Sequence, residues 1–370
     1  MNPFRYGEVV TGEDFCPRPD VSKRLREHLE AGHKVVVLGE RRTGKTSLIH
    51  ETVRKMRGTR LVYAQMWAVN SIEDIASRLL RALSTTQFKE SSFIERVART
   101  LAHLRPRIDF DPNTGQPSVT VTPGTRLEPS GLHGVFDFIE ELSRQHPLVM
   151  ALDEFQDVAR LDDASSILGE IRGRIQTQSR VPYVFAGSIR HEMDRIFRDP
   201  ASPFYKSLRV IELEGLDRYV FQRFLDRRFS RGNRQVDRAV YDRIFEISQD
   251  SPSDVQQFCA AIWETSKEGD RIDEDRLSEV LTYVFATERK GYEAQIKPLT
   301  GIQVQCLKAL ARVGGRHPQS KAFLQEAGID LPATARRAVT RLVDLEIIAG
   351  SDQDHRFLDP FLKQWVLREL

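Results

Sequence analysis

Val35-Val36-Val37-Leu38-Gly39-Glu40-Arg41-Arg42-Thr43-Gly44-Lys45-Thr46-Ser47 decides the fold. Its first four residues form an apolar run of the kind buried on both faces of a parallel sheet. Gly39 and Gly44 bracket a short polar loop, and Ser47 to Met56 has helical character. Strand, glycine loop and helix in that order make a phosphate-binding loop, or P-loop. The glycines let the backbone fold round a phosphate chain, and the helix points its N-terminal N–H groups and the positive end of its dipole at the anion. Lys45 is expected to reach the β- and γ-phosphates and the Thr46 hydroxyl to coordinate Mg2+, which makes ATP and Mg2+ the expected cofactors. A glycine loop matching by chance would lack this order of elements.

Pro147-Leu148-Val149-Met150-Ala151-Leu152 is a second continuously apolar run, and it ends in Asp153-Glu154. In a P-loop protein the first acid, Asp153, holds Mg2+ through its water shell. Glu154, taken to point the other way by strand alternation, is placed to polarise the water that attacks the γ-phosphate. The competing reading is a pair of solvated acids at a strand end.

The rest of the chain narrows the class. At 370 residues it has room for two or three domains. Its 55 basic and 53 acidic residues give a charge of +2, so any nucleic-acid contact must rest on a local patch. Cys16, Cys259 and Cys306 lie far apart and in no metal-ligand spacing, which argues against a disulfide framework or zinc site and for a reducing cytoplasm. Met1 to Asp20 is polar and carries three prolines, so no signal peptide is expected, and no apolar stretch approaches a membrane span.

Strands are predicted at His33 to Leu38, Arg60 to Trp67, Leu148 to Asp153, Val181 to Gly187 and Arg209 to Leu213, separated by amphipathic helices. That alternation implies an α/β fold with a parallel sheet covered on both faces. Between them, Arg107 to Asp111 and Ser118 to Thr122 alternate either side of Pro112-Asn113-Thr114-Gly115-Gln116-Pro117, predicting an inserted hairpin near residues 105–125 that packs on the domain or on a partner. After Gly215 the strands cease, and Leu216 to Glu293 reads as helices. From about Pro298, helices at Gly301 to Val313, Ser320 to Ala327 and Pro332 to Leu345 precede a small hairpin, Glu346 to Ala349 and His355 to Leu358 about a turn at Gly350 to Asp354; three helices and a wing make a winged helix-turn-helix. The expected divisions are therefore an N-terminal segment (1–20), a P-loop core (21–215), a helical lid (216–296) and a winged helix (297–370).

These residues together resemble bacterial and archaeal AAA-family ATPases related to the STAND class, the signal-transduction ATPases with numerous domains. An extra strand between the two nucleotide motifs, with a glutamate after the Mg2+ aspartate, is similar to the additional-strand P-loop ATPases and implies strand order 5-1-4-3-2. The resemblance implies that Gly39, Arg42, Thr43, Gly44, Lys45, Thr46 and Ser47 bind nucleotide, and that the segment through Cys16-Pro17-Arg18-Pro19-Asp20 folds against its adenine side. It also implies that Ser188, in Phe185-Ala186-Gly187-Ser188-Ile189-Arg190, senses the γ-phosphate or attacking water, with Arg190 a second candidate; the alternative for Ser188 is a helix cap. Pro252, in Ser251-Pro252-Ser253, stands where relatives carry a proline that packs on adenine, or else simply starts a helix. Where many relatives carry a glycine-arginine pair that acts on a neighbouring subunit's nucleotide, this chain has Lys206-Ser207, leaving Lys206 or Arg209 to act between subunits of an ATP-state homo-oligomer.

In the expected recognition helix, Arg336, Arg337, Thr340 and Arg341 cluster opposite Ala335, Ala338, Val339, Leu342 and Val343. Residues 297–370 carry eleven basic and eight acidic residues, a local charge of +3. Two or three contacts to double-stranded DNA follow from that face, or else an intramolecular or protein-binding role. The expected function is an ATP-dependent switch, hydrolysing slowly, whose nucleotide state controls binding of DNA or of a protein effector or sensor. The alternatives are an oligomeric DNA-remodelling ATPase and a nucleotide-stabilised scaffold without turnover.

Overall fold

Side-chain parity along the strands sorts the first half of the molecule into layers. In the computed structural model, which describes residues 1–86, 105–110, 117–122, 127–188, 190–351 and 354–370, the chain divides into two units. One is Glu8–Gly215; the other is Leu216–Leu370 together with Met1–Gly7.

The first unit runs α1 (Pro19–Glu30), β1 (Lys34–Leu38), α2 (Lys45–Arg54), β2 (Arg60–Gln65), α3 (Ile72–Thr85), β3 (Pro106–Phe110), β4 (Pro117–Val121), α4 (His133–Gln145), β5 (Leu148–Asp153), α5 (Ala164–Thr177), β6 (Tyr183–Gly187), α6 (Arg190–Phe197) and β7 (Arg209–Glu212). Its central sheet is parallel, in the order β2-β5-β6-β1-β7, which is the expected 5-1-4-3-2 once the hairpin strands are set aside. Val36, Val62, Met150 and Phe185 face a core shared with α3, α4 and α5, while Val35, Val37, Val149, Ala151 and Val184 face α1 and α2. Burial on both faces is why these strands read as unbroken apolar runs. The register aligns Leu38 with Gly187 and Glu212, and Gln65 with Asp153, so the carboxyl ends of the strands share one edge, where open α/β sheets bind ligands.

The hairpin of β3 and β4 packs on its own unit. Val119 and Val121 are buried, and their N–H groups donate to Ser84 Oγ (3.3 Å) and Ser77 Oγ (3.0 Å) of α3, so two serines close the edge that β4 turns to the helix. The predicted turn over residues 112–116 lies outside the described residues.

The second unit runs α7 (Arg218–Arg231), β8 (Gln235–Val236), α8 (Arg238–Ile247), α9 (Pro252–Thr265), β9 (Arg271–Ile272) and α10 (Arg276–Ile296), then α11 (Gly301–Val313), β10 (Gly315–Arg316), α12 (Lys321–Ala327), α13 (Pro332–Asp344), β11 (Ile348–Ser351), β12 (Asp354–Phe357) and α14 (Pro360–Glu369). The all-helical expectation for 216–293 is corrected by β8 and β9, a parallel pair too short to leave a period-2 signature. The wing has three strands, β10-β12-β11, rather than two; β11 begins and ends two residues later than predicted and β12 one residue earlier, and residues 352–353 of the turn lie outside the described residues. Asp359 caps α14 by accepting from the N–H groups of Phe361 (2.8 Å) and Leu362 (3.1 Å). Phe361 then packs on Phe258 of α9 and Trp365 on Tyr292 of α10, so the winged helix is fastened to the helices before it. Phe4 packs likewise on Phe229 and Trp263. Among the described residues no helix is long and apolar enough to cross a membrane.

Candidate nucleotide site

The loop between β1 and α2 is set by two glycines for two different reasons. A Cβ at Gly39 would lie 2.9 Å from the carbonyl oxygen of Leu213, just beyond β7. Gly44 has φ 90°, a left-handed conformation that costs glycine little, and it forms the N-cap of α2. Arg42 shares that region, with φ 64°, despite its side chain. The turn is pinned inside by Thr43 Oγ1 donating to Glu40 O (2.8 Å) and outside by Arg18, whose guanidinium donates to Thr43 O (2.8 Å) and Glu214 O (2.6 Å). Burial brings the Arg18 guanidinium down to about 10. Along α2, Ser47 Oγ accepts from Val10 N–H (3.1 Å) and Glu51 from Gly12 N–H (2.8 Å), which lays residues 10–12 on the helix. Glu51 is itself held down to about 2, first by its hydrogen bond from Arg54 and then by Gly12 and Lys55.

Lys45 is only 6 % exposed, and its ammonium donates to the carbonyls of Gly39 (3.0 Å) and Glu40 (2.8 Å). Burial lowers its pKa, opposed by the negative charges of Glu154, Asp153 and Glu40. Facing it, Asp153 is 3 % exposed and accepts from Thr46 Oγ1 (2.6 Å) and Tyr63 OH (2.7 Å) on Oδ2, and from Glu154 N–H (2.9 Å) on Oδ1. Burial, then the Asp153 charge and hydrogen bond, push the Tyr63 hydroxyl up, so it stays a donor. The Tyr63 ring packs on His50, one turn beyond Thr46 on α2.

Glu154 lies just past β5 with φ 52°, so a left-handed turn, not strand alternation, sets its direction. Its Oε2 accepts from Ser188 Oγ (2.8 Å) and from Gln156 Nε2 (2.6 Å). Below this turn Phe155, Phe185, Phe197 and Phe204 form a buried cluster with ring centroids 4.7 to 6.0 Å apart, joining the segment after β5 to β6, α6 and the chain before β7.

The structure thus brings together Gly39, Thr43, Gly44, Lys45, Thr46, Asp153, Glu154 and Ser188. The Ser188 hydroxyl is spent on Glu154, and the Arg190 side chain lies outside the described residues. Lys206, with φ 53°, and Arg209 are exposed. In the second unit, Pro252 opens α9 as a first-turn proline. On α13, Ala335, Ala338, Val339 and Leu342 are buried while Arg336, Arg337, Thr340 and Arg341 are exposed, as expected of that helix, whereas Val343, also expected on the core face, is only half-buried. Sequence reasoning missed Tyr63 and Gln156. Strand alternation puts residues 61, 63 and 65 on one face of β2, but it is the register with 149, 151 and 153 that carries Tyr63 to Asp153. Gln156 left no periodic signal.

The Thr46 hydroxyl and Asp153 carboxylate form a hard-oxygen pair of the kind that suits Mg2+, and Gly44, Lys45 and the start of α2 offer N–H and ammonium donors that suit a triphosphate.

Comparisons with known proteins agree on the fold. A family model described as "Probable winged helix domain" matches residues 290–368. The Walker-type ATPase paby2304 of Pyrococcus abyssi is similar over 99 % of both chains at 19 % identity, with a TM-score of 0.67. The ORC2 protein of Aeropyrum pernix, in ADPNP and ADP complexes, is similar over 98 % of this chain and 96 % of its own at 13 % identity and a TM-score of 0.57. The ORC1 protein of the same organism, in complex with DNA, is similar over 97 % and 94 % at 14 % identity and a TM-score of 0.53. No curated protein matches. The chain has a P-loop ATPase fold with a winged helix domain at its C-terminal end.

Proposed function

We propose that this protein binds Mg-ATP at the loop Gly39 to Ser47, hydrolyses it slowly, and uses its nucleotide state to control binding of DNA or a protein partner. The observation that carries the reading is the convergence of Lys45, Thr46, Asp153, Glu154 and Ser188 at the carboxyl edge of one parallel sheet. Lys45 exchanges its loop carbonyls for phosphate oxygens, and Arg42, Thr43 and Ser47 shape the loop round them. Thr46 and Asp153 hold Mg2+, which when bound neutralises charge on the phosphates. Glu154 takes a proton from water as its oxygen bonds to the γ-phosphorus and the bond to the β-phosphate oxygen breaks, giving ADP and phosphate. Ser188 holds the Glu154 carboxylate for that step.

A second reading, a DNA-remodelling ATPase acting as an oligomer, is favoured by the likeness to an ORC1 protein solved with DNA and by the exposed Arg336, Arg337 and Arg341 of α13. Turnover by the purified protein, with and without duplex DNA, separates the readings. Slow turnover indifferent to DNA supports the switch, and stimulation by DNA supports the remodeller. Absence of turnover with Mg-ATP bound overturns both in favour of a scaffold.

A further inference from the structure

The Glu154 carboxylate is held by more than Ser188. Gln156 is 2 % exposed and spends its amide N–H on the same oxygen, Oε2. Its own Oε1 is buried with no hydrogen-bond partner among the described residues. Buried polar groups are nearly always satisfied, and an unpaired one is costly. Gln156 therefore keeps an orphaned carbonyl in order to place its NH2 group. The backbone accommodates that placement: a Cβ at Gly187, the last residue of β6, would collide with Gln156 Oε1 and Met193 Sδ. Glycine at 187 is what lets the amide lie against the strand end.

Resting on the reading of Glu154 as the base, we infer that Gln156 is a positioning residue for hydrolysis: with Ser188 it fixes Oε2 and leaves Oε1 of Glu154 as the oxygen that takes the proton. The left-handed backbone at Glu154 gives this anchoring its purpose. It releases the side chain from the direction that β5 would impose, and a carboxylate on two freely rotating methylenes then needs other contacts to hold one orientation. Two donors from different segments, one following β5 and one following β6, supply them.

The test uses the full chain. Gln156→Met keeps the length of the side chain and removes the donor. Its kcat should fall roughly ten- to a hundredfold, the size expected for a lost hydrogen bond to a charged group. Affinity for a non-hydrolysable ATP analogue with Mg2+, measured by direct titration, should be unchanged. In a Glu154→Gln background the same substitution should have no further effect, because the amide acts only through the carboxylate. Gly187→Ala, which displaces the amide without deleting it, should lower kcat in the same direction and gives a second route should Gln156→Met fold poorly. Wild-type turnover in both Gln156→Met and Gly187→Ala overturns the inference, as does an equal further loss from Gln156→Met in the Glu154→Gln background, which marks a structural role. Wild-type turnover in Glu154→Gln itself overturns the base assignment instead.

Discussion

Lys45 and the arginines of α13 are the cations to which phosphate contacts are ascribed in the proposed function, and they are built in opposite ways. Lys45 is buried, held by two loop carbonyls and surrounded by Asp153 and Glu154. Arg341 has a side chain 56 % exposed, with Asp344 4.0 Å away. Folding has already borne the desolvation of Lys45, so under the proposed function its charge would meet a phosphate in a fixed place and at low effective dielectric. The α13 arginines remain solvated and screened, so whatever they bind, they bind with a strength set by salt. One region is a buried, pre-formed cluster; the other is a surface.

The sharpest way to break that contrast is Glu154→Gln. It should leave Mg-ATP affinity intact and lower kcat by about 10²- to 10⁴-fold, measured by phosphate release under saturating ATP. A smaller loss would mean that the hydrogen-bonded cluster at the strand ends does not serve the chemistry. Lys45→Ala should cost on the order of 10²- to 10³-fold in ATP affinity by titration, as removal of one member of a buried charge pair does. Its circular dichroism and melting should stay close to wild type, because the lysine's own burial cost disappears with it.

Tyr63→Phe probes how finely the site is built. Its hydroxyl meets Asp153 and Thr46, the two residues proposed to hold Mg2+, so nucleotide affinity without Mg2+ should be unchanged while Mg2+ is held roughly tenfold less tightly, an effect typical of outer-shell partners. Equal affinities with and without the metal in the variant and wild type would reduce Tyr63 to packing. The smallest effect belongs to the surface. Duplex DNA binding, measured across a salt series, should show a log–log slope of about −2 to −3, and replacing Arg336, Arg337 and Arg341 together by alanine should flatten it without altering ATP affinity. An unaltered slope places the DNA contacts elsewhere, and no binding by the wild type at low salt leaves the winged helix to a protein or intramolecular role.

What the sequence settled, it settled locally. Gly39 and Gly44 at their spacing, a four-residue apolar run before them and another ending in Asp153-Glu154 determined the strand, loop and helix of the candidate site, because glycine's backbone freedom and burial on both faces are written residue by residue. The parity of α13 was legible for the same reason, with a helical period carrying its buried and exposed faces. The two-residue strands β8 and β9 were not, since a pair that short has no period. Nor could the chain announce that Tyr63 meets Asp153, that Arg18 closes on Thr43 and Glu214, or that Gln156 and Ser188 share one oxygen of Glu154. Tyr63 and Arg18 reach partners as far as 196 residues away in the chain, brought within hydrogen-bond range by the pairing of β2 with β5 and of β1 with β7. Gln156 is near Glu154 in sequence, but its orientation depends on a left-handed turn and on the missing side chain of Gly187, a strand away. Local pattern fixed which residues could do the chemistry, and tertiary register decided which side chains hold them in place.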